Sequence, residues 1–159
     1  MPRGSLIRSN DYYRNNNIGV IHKVPSEWLP LRKDKKIISA KITKKASVDF
    51  LGHIQTKNGP LPLAFDVKEV SSGDRWYLIQ LKPHQFKYLS DSFHTGAFAF
   101  ILIGFWEMQK FFILPFSGLE KRWMAWKKKE GPASIKIPEK DLIEVKFLNY
   151  LNFMGLKSK

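Results

Sequence analysis

The sequence predicts an α/β fold: a mixed central β-sheet flanked by helices, with a protruding basic arm. Three observations carry this. From Lys44 to Val70 (KKASVDFLGHIQTKNGPLPLAFDVKEV) two runs alternate apolar and polar side chains with the strand period of two. Ala97 to Trp106 is a continuous apolar run, about half the length a membrane span needs, and reads as a buried central strand. Leu81 to Thr95 places Leu81, Phe86, Leu89 and Phe93 at near-helical spacing. At 159 residues the chain is read as one domain, residues 1–159, able to bury roughly 70% of its unfolded surface in one core.

In chain order, residues 5–17 read as a short helix stopped by Asn15, Asn16 and Asn17. Ile18 to Lys23 follows as a short strand. Residues 25–45 are the basic arm, in which Arg32, Lys33, Lys35, Lys36, Lys41, Lys44 and Lys45 outnumber Glu27 and Asp34. Its flanks, WLPL and IISAKI, read as strands around a turn at Arg32 to Lys36.

In the next strand Val48 and Phe50 are expected on one face, with Ser47 and Asp49 on the other. Lys57, Asn58, Gly59 and Pro60 form the turn. Leu61, Leu63, Phe65 and Val67 then share a face, leaving Ala64, Asp66 and Lys68 opposite. Ser71 to Trp76 reads as a loop. Pro83 suits the first turn of the following helix and Gly96 its end.

Ala97 to Phe105 and Lys110 to Leu114 are read as a strand pair turning at Glu107, Met108 and Gln109. Ser117 to Lys129 is expected to be helical, with Trp123 and Trp126 packed inward and Gly131-Pro132 ending it. Ser134 to Pro138 resembles a short strand. Asp141 to Leu156, with Leu142, Val145, Leu148 and Leu151 along one side, is expected to be a final helix.

Lys and Arg outnumber Asp and Glu by 27 to 14, a formal charge of +13. That excess favours a polyanionic partner, nucleic acid above all. Zero cysteines exclude disulfides and Cys-based zinc sites, and the four His residues offer no H-x-x-x-H spacing. With no apolar leader visible, a cytoplasmic protein without a membrane partner is expected.

If the two strands between Lys44 and Val70 pair as a hairpin, Asp49, Asp66 and Lys68 converge on one face. Two carboxylates and a lysine suit hydrolysis of a phosphodiester assisted by a hard divalent cation. The carboxylates hold the ion, and the lysine orients water or offsets developing charge. The alternative is a solvated strand face with an incidental ion pair.

The words around that trio are more specific. SNDYYRNNNIGVIHKVP, KKASVDFLG, LAFDVKEV and PHQFKYL, then AFAFILIGF and FFILPFSGL before a Trp-bearing helix, resemble RecU-type Holliday junction resolvases over residues 5–140. Asp49…Asp66-Val67-Lys68 is similar to the signature of the PD-(D/E)XK nuclease superfamily. The resemblance implies a restriction-endonuclease-like core and a homodimeric endonuclease that nicks four-way DNA junctions in pairs. It implies Mg²⁺, with Mn²⁺ possible, held by Asp49 and Asp66, and Lys68 as the catalytic lysine. Gln85, near the start of its helix, matches a polar residue touching the active-site face.

The arm residues Arg32, Lys33, Lys35, Lys36, Lys41, Lys44 and Lys45 match a stalk that enters the open centre of the junction. Two departures stand out. Asp66 occupies a position where the family usually has Glu, and no Glu precedes Glu27. A non-cleaving DNA-binding accessory protein of the same fold is therefore the alternative function.

Overall fold

The computed structural model describes residues 2–44 and 47–154, with the side chains of residues 2–5, 28, 42–44 and 148 left undescribed. The elements in order are α1 (Pro2–Asn15), β1 (Gly19–Lys23), β2 (Glu27–Lys33), β3 (Lys36–Lys44), β4 (Phe50–Thr56), β5 (Gly59–Val70) and β6 (Arg75–Tyr77). Then come α2 (Pro83–His94), β7 (Phe98–Phe105), β8 (Lys110–Pro115), α3 (Phe116–Lys127), β9 (Ser134–Lys136) and β10 (Ile143–Val145). Six strands form one mixed sheet in the order β1-β4-β5-β7-β8-β10. All its pairings are antiparallel except β5 with β7, which α2 connects as a crossover. The sequence-based expectation of an α/β fold with a mixed central sheet is met.

Each face of the sheet is covered. On one, Phe50, Phe65 and Phe100 from neighbouring strands stack with ring centroids 5.1 and 4.5 Å apart. Leu6 and Tyr13 of α1 and Tyr150 and Leu151 close over them. The other face packs Ala64, Ala99, Ile101 and Ile103 against Leu89 of α2 and Phe116, Leu119 and Trp123 of α3. Strand β7 is the centre of both cores, being buried from Ala99 to Phe105. That is why it reads as an unbroken apolar run.

Two buried ties join α1 to the far end of the chain. The Tyr150 hydroxyl donates to Asn10 Oδ1 at 2.5 Å, and the Leu151 amide donates to the Tyr13 hydroxyl at 3.2 Å. Burial pushes the Tyr13 phenol up to about 12, with the Leu151 amide working against the shift.

Strands β2 and β3 form a separate two-stranded sheet. Their turn places Asp34 and Lys35 at φ +50° and +66°, the doubly left-handed geometry of a tight hairpin. Every residue from Leu29 to Lys41 is exposed. A β-bulge interrupts the register between Leu31 and Arg32. Gly96 follows two residues after the end of α2 at His94, and its φ of +100° suits a residue without Cβ.

Three expectations are corrected. The described part of the expected helix over 141–156, residues 141–154, is not helical as a unit. Asp141 is held by a two-pronged pair with Arg122 of α3, at 2.9 and 2.7 Å, and Ile143–Val145 then joins the edge of β8. The segment continues in short 3₁₀ turns at Phe147–Asn149 and Asn152–Met154. The supposed loop at residues 71–76 runs into strand β6, which pairs with β9 and buries Trp76. Val48 does not share a face with Phe50: residues 47–49 bend, and the two side chains enter opposite cores. Among the described residues, no helix is long and apolar enough to cross a membrane.

Candidate active site

The site is built where β4 begins, where β5 runs beneath the start of α2, and on the helical face of the sheet. Antiparallel pairing sets Phe50 opposite Phe65 and Leu51 opposite Ala64. Asp49, one residue before β4, therefore lies beside Asp66. The bend at residues 47–49 turns the Asp49 carboxylate toward the neighbouring strand, where Oδ2 accepts the Val67 amide at 3.0 Å. The Asp49 amide in turn donates to Asp66 Oδ1 at 3.1 Å.

Lys68 follows Asp66 on the same face of β5. Its Nζ lies 2.8 Å from Asp66 Oδ2 and donates to Gln85 Oε1 at 3.1 Å. Gln85 sits in the first turn of α2, where Oε1 also accepts the Lys82 amide at 3.0 Å. Two donors fix Oε1, so Nε2 is turned to Asp66 Oδ1, 3.4 Å away. The two carboxylates, the lysine and the glutamine expected from the sequence are thus brought together. The amides of Val67 and Lys82, which hold Asp49 and Gln85, carry no signal in a sequence because every residue but proline has one.

Asp66 is 1% exposed. Burial above all, and then the charge of Asp49, push its carboxyl up to about 6, while Lys68 pulls the other way. Asp66 Oδ2 is buried and accepts no hydrogen bond of good direction. The Lys68 ammonium 2.8 Å away offsets its charge. A buried, underused oxygen beside a second carboxylate fits a hard cation, which would relieve the repulsion that raises the pKa. Among the described residues there is no group of three or more His, Cys, Asp and Glu placed to hold a metal. The carboxylates that this site offers are the pair Asp49 and Asp66, and a pair suits an ion such as Mg²⁺ that takes one or two carboxylate ligands and keeps several waters.

The basic residues of the ribbon occupy a different place. Arg32, Lys33, Lys35, Lys36 and Lys41 are exposed on β2, β3 and their turn. The side chain of Lys44, and all of Lys45, lie outside the described residues.

A family model described as RecU, recombination protein U, matches residues 4–156. Among curated proteins, the chain is similar to the Holliday junction resolvase RecU of Leuconostoc mesenteroides, with 26% identity over 89% of this chain and 70% of that protein. The Holliday junction resolvase RecU of Oenococcus oeni is 30% identical over 73% of this chain and 60% of its own length. That of Staphylococcus saprophyticus is 27% identical over 72% and 56%. The chain thus spans between 56% and 70% of the length of these relatives.

Proposed function

The chain belongs to the RecU family, and from that membership we propose that it is a structure-specific DNA endonuclease of the PD-(D/E)XK type, resolving four-way junctions by paired nicks. The observation that carries the reading is the cross-tied pair Asp49 and Asp66, with Lys68 and Gln85 at hydrogen-bond distance on one face. A buried carboxylate with a raised pKa costs stability, and such groups cluster at functional sites.

Asp49 and Asp66 would hold Mg²⁺ or Mn²⁺, which supplies charge to polarise the scissile phosphate and acidify water. Lys68, tethered by Gln85, stands where it orients the attacking water or offsets charge on the phosphoryl oxygens. Water adds to phosphorus, the bond to the leaving ribose oxygen breaks, and that oxygen takes a proton. Asp66 holds the ammonium within reach, and Gln85 limits its swing.

The ribbon residues Arg32, Lys33, Lys35, Lys36 and Lys41, with Lys44 and Lys45, would meet phosphates near the branch point, with affinity falling as salt rises. Paired nicks require two such sites, which a two-fold homodimer supplies. This work belongs in the cytoplasm, with the chromosome.

The test is incubation of the protein with an end-labelled four-way junction, with and without Mg²⁺. Symmetric nicks that need the metal support the reading. Tight junction binding with no nicks in either Mg²⁺ or Mn²⁺ would replace it with the non-cleaving accessory protein.

A further inference from the structure

A groove of about 300 Å³ opens on the same face of the sheet as the carboxylates, between β4 and α2. Leu51, Pro62 and Ala64 form its sheet side, and Tyr88, Ser92 and Thr95 its helix side. It runs on directly from the candidate active site. Ala64 lies two residues before Asp66 on β5, hence on the same face, and Leu51 is paired with Ala64. Tyr88 and Ser92 lie three and seven residues beyond Gln85, the spacing that keeps one face of a helix. Because α2 runs back along β5, both walls lead away from Asp66 together, for about 10 Å at the rise of a helix or a strand.

The lining argues for one kind of occupant. In a chain with a formal charge of +13, no charged side chain among the described residues lines this groove. A phosphate has nothing to meet there, whereas the uncharged part of a nucleotide does. Tyr88 is a half-buried ring that lines the groove together with Leu51, an arrangement able to stack on a base. The Ser92 hydroxyl donates to the Tyr88 carbonyl at 2.8 Å, and the Thr95 hydroxyl to the Asp91 carbonyl at 2.8 Å. Their hydrogens are thus committed, and their lone pairs are left to accept N–H groups. The volume is at the lower end of small-molecule sites, the scale of one nucleoside.

We infer that this groove holds the nucleobase adjacent to the scissile phosphate, turned out of the duplex stack against Tyr88, and that Tyr88 is a positioning residue for the cut. The inference rests on the endonuclease reading for its substrate, but the binding it describes is readable without cleavage. A base seated here pins its own phosphate over Asp49 and Asp66. It also gives the sequence preference around the cut a structural source, since only nucleotides beside a phosphate at the site reach the groove.

The experiment places an abasic nucleotide at each position flanking the cut, in turn, in a four-way junction. With wild type, one position is expected to slow cleavage roughly tenfold, the scale of one lost base–aromatic stack. With Tyr88→Ala that penalty is expected to vanish, because the ring it depends on is gone. Tyr88→Phe keeps the ring and should keep the penalty. Ser92→Leu fills the groove from the helix and should abolish it; thermal melting shows that each variant is folded.

A junction carrying 2-aminopurine at the same position reads binding alone, in Ca²⁺ or EDTA. Its fluorescence should change with wild type and not with Tyr88→Ala. An abasic penalty equal in wild type and Tyr88→Ala, or no position-specific penalty at all, overturns the inference. So does a 2-aminopurine signal that ignores Tyr88. A wild type that never cuts defeats the endonuclease reading, and the 2-aminopurine signal then decides the groove by itself.

Discussion

Asp49 and Asp66 hold one another's strands. The Asp49 amide donates to the Asp66 carboxylate at 3.1 Å, and the Asp49 carboxylate accepts the amide of Val67, the residue after Asp66. Either carboxylate can be neutralised while its shape is kept. Asp49→Asn and Asp66→Asn are therefore expected to fold and to bind junctions close to wild type, yet to lose Mg²⁺-dependent nicking. Gel-shift and cleavage assays on the same preparations check this. A variant that still cuts at the wild-type rate is not missing a metal ligand.

The raised pKa of Asp66 sets a pH dependence with a definite sign. The folded protein keeps a proton on Asp66 up to about 6, whereas the unfolded chain loses it near 3.8. The native state binds more protons in that window, so its metal-free stability falls as pH rises from about 4 to about 6, by at most about 3 kcal/mol. Urea melts in EDTA across this range should show the slope in wild type and a flatter one in Asp66→Asn. A divalent cation needs the carboxylate ionised, so stabilisation by added Mg²⁺ should be larger at pH 7 than at pH 5.

Gln85 touches Lys68, Asp66 and the Lys82 amide. Gln85→Ala should leave the Lys68–Asp66 pair in place and lower kcat by about tenfold to a hundredfold, with little change in KM, as loosened positioning does. Lys68→Ala should remove activity altogether. It should also raise the Asp66 pKa further, since the nearby cation lowers it, which moves the stability slope to higher pH.

The ribbon makes an independent prediction. Neutralising Arg32, Lys33, Lys35 and Lys36 together should change stability little, each exposed substitution staying within about 0.5 kcal/mol. The log–log salt slope of junction binding should flatten by up to roughly four units if every side chain meets a phosphate. Linear duplex should lose less affinity than the junction. Competition binding at several salt concentrations measures both, and equal losses would make the ribbon a general basic patch.

Much of this was legible in the sequence where pattern and environment agree. β5 alternates because its two faces enter different surroundings, and β7 does not alternate because both of its faces are buried. The failures have local causes. Val48 and Phe50 fit a strand by spacing, but the bend that aims Asp49 at Val67 breaks the alternation. Leu142, Val145 and Leu151 fit a helix by spacing, but Arg122 and the open edge of β8 capture the segment first. Strand β6 is three residues long, too short to show any period. The groove beside Tyr88 joins residues from a hairpin and a helix, and no local pattern announces such a meeting.

The ties between α1 and the far end of the chain bear on how the protein is made. Asn10 and Tyr150 are separated by 140 residues, and Tyr13 and Leu151 by 138. A ribosome releases α1 long before Tyr150 and Leu151 exist, so this helix is among the last elements to be fastened. Until then Leu6 and Tyr13 have no cover on that side. Contacts this distant in sequence slow folding and lengthen the time an apolar face stays open to other chains. Synthesis halted before Tyr150 would leave a nearly complete sheet with α1 unfastened, a nascent form to be guarded by chaperones or cleared by proteases.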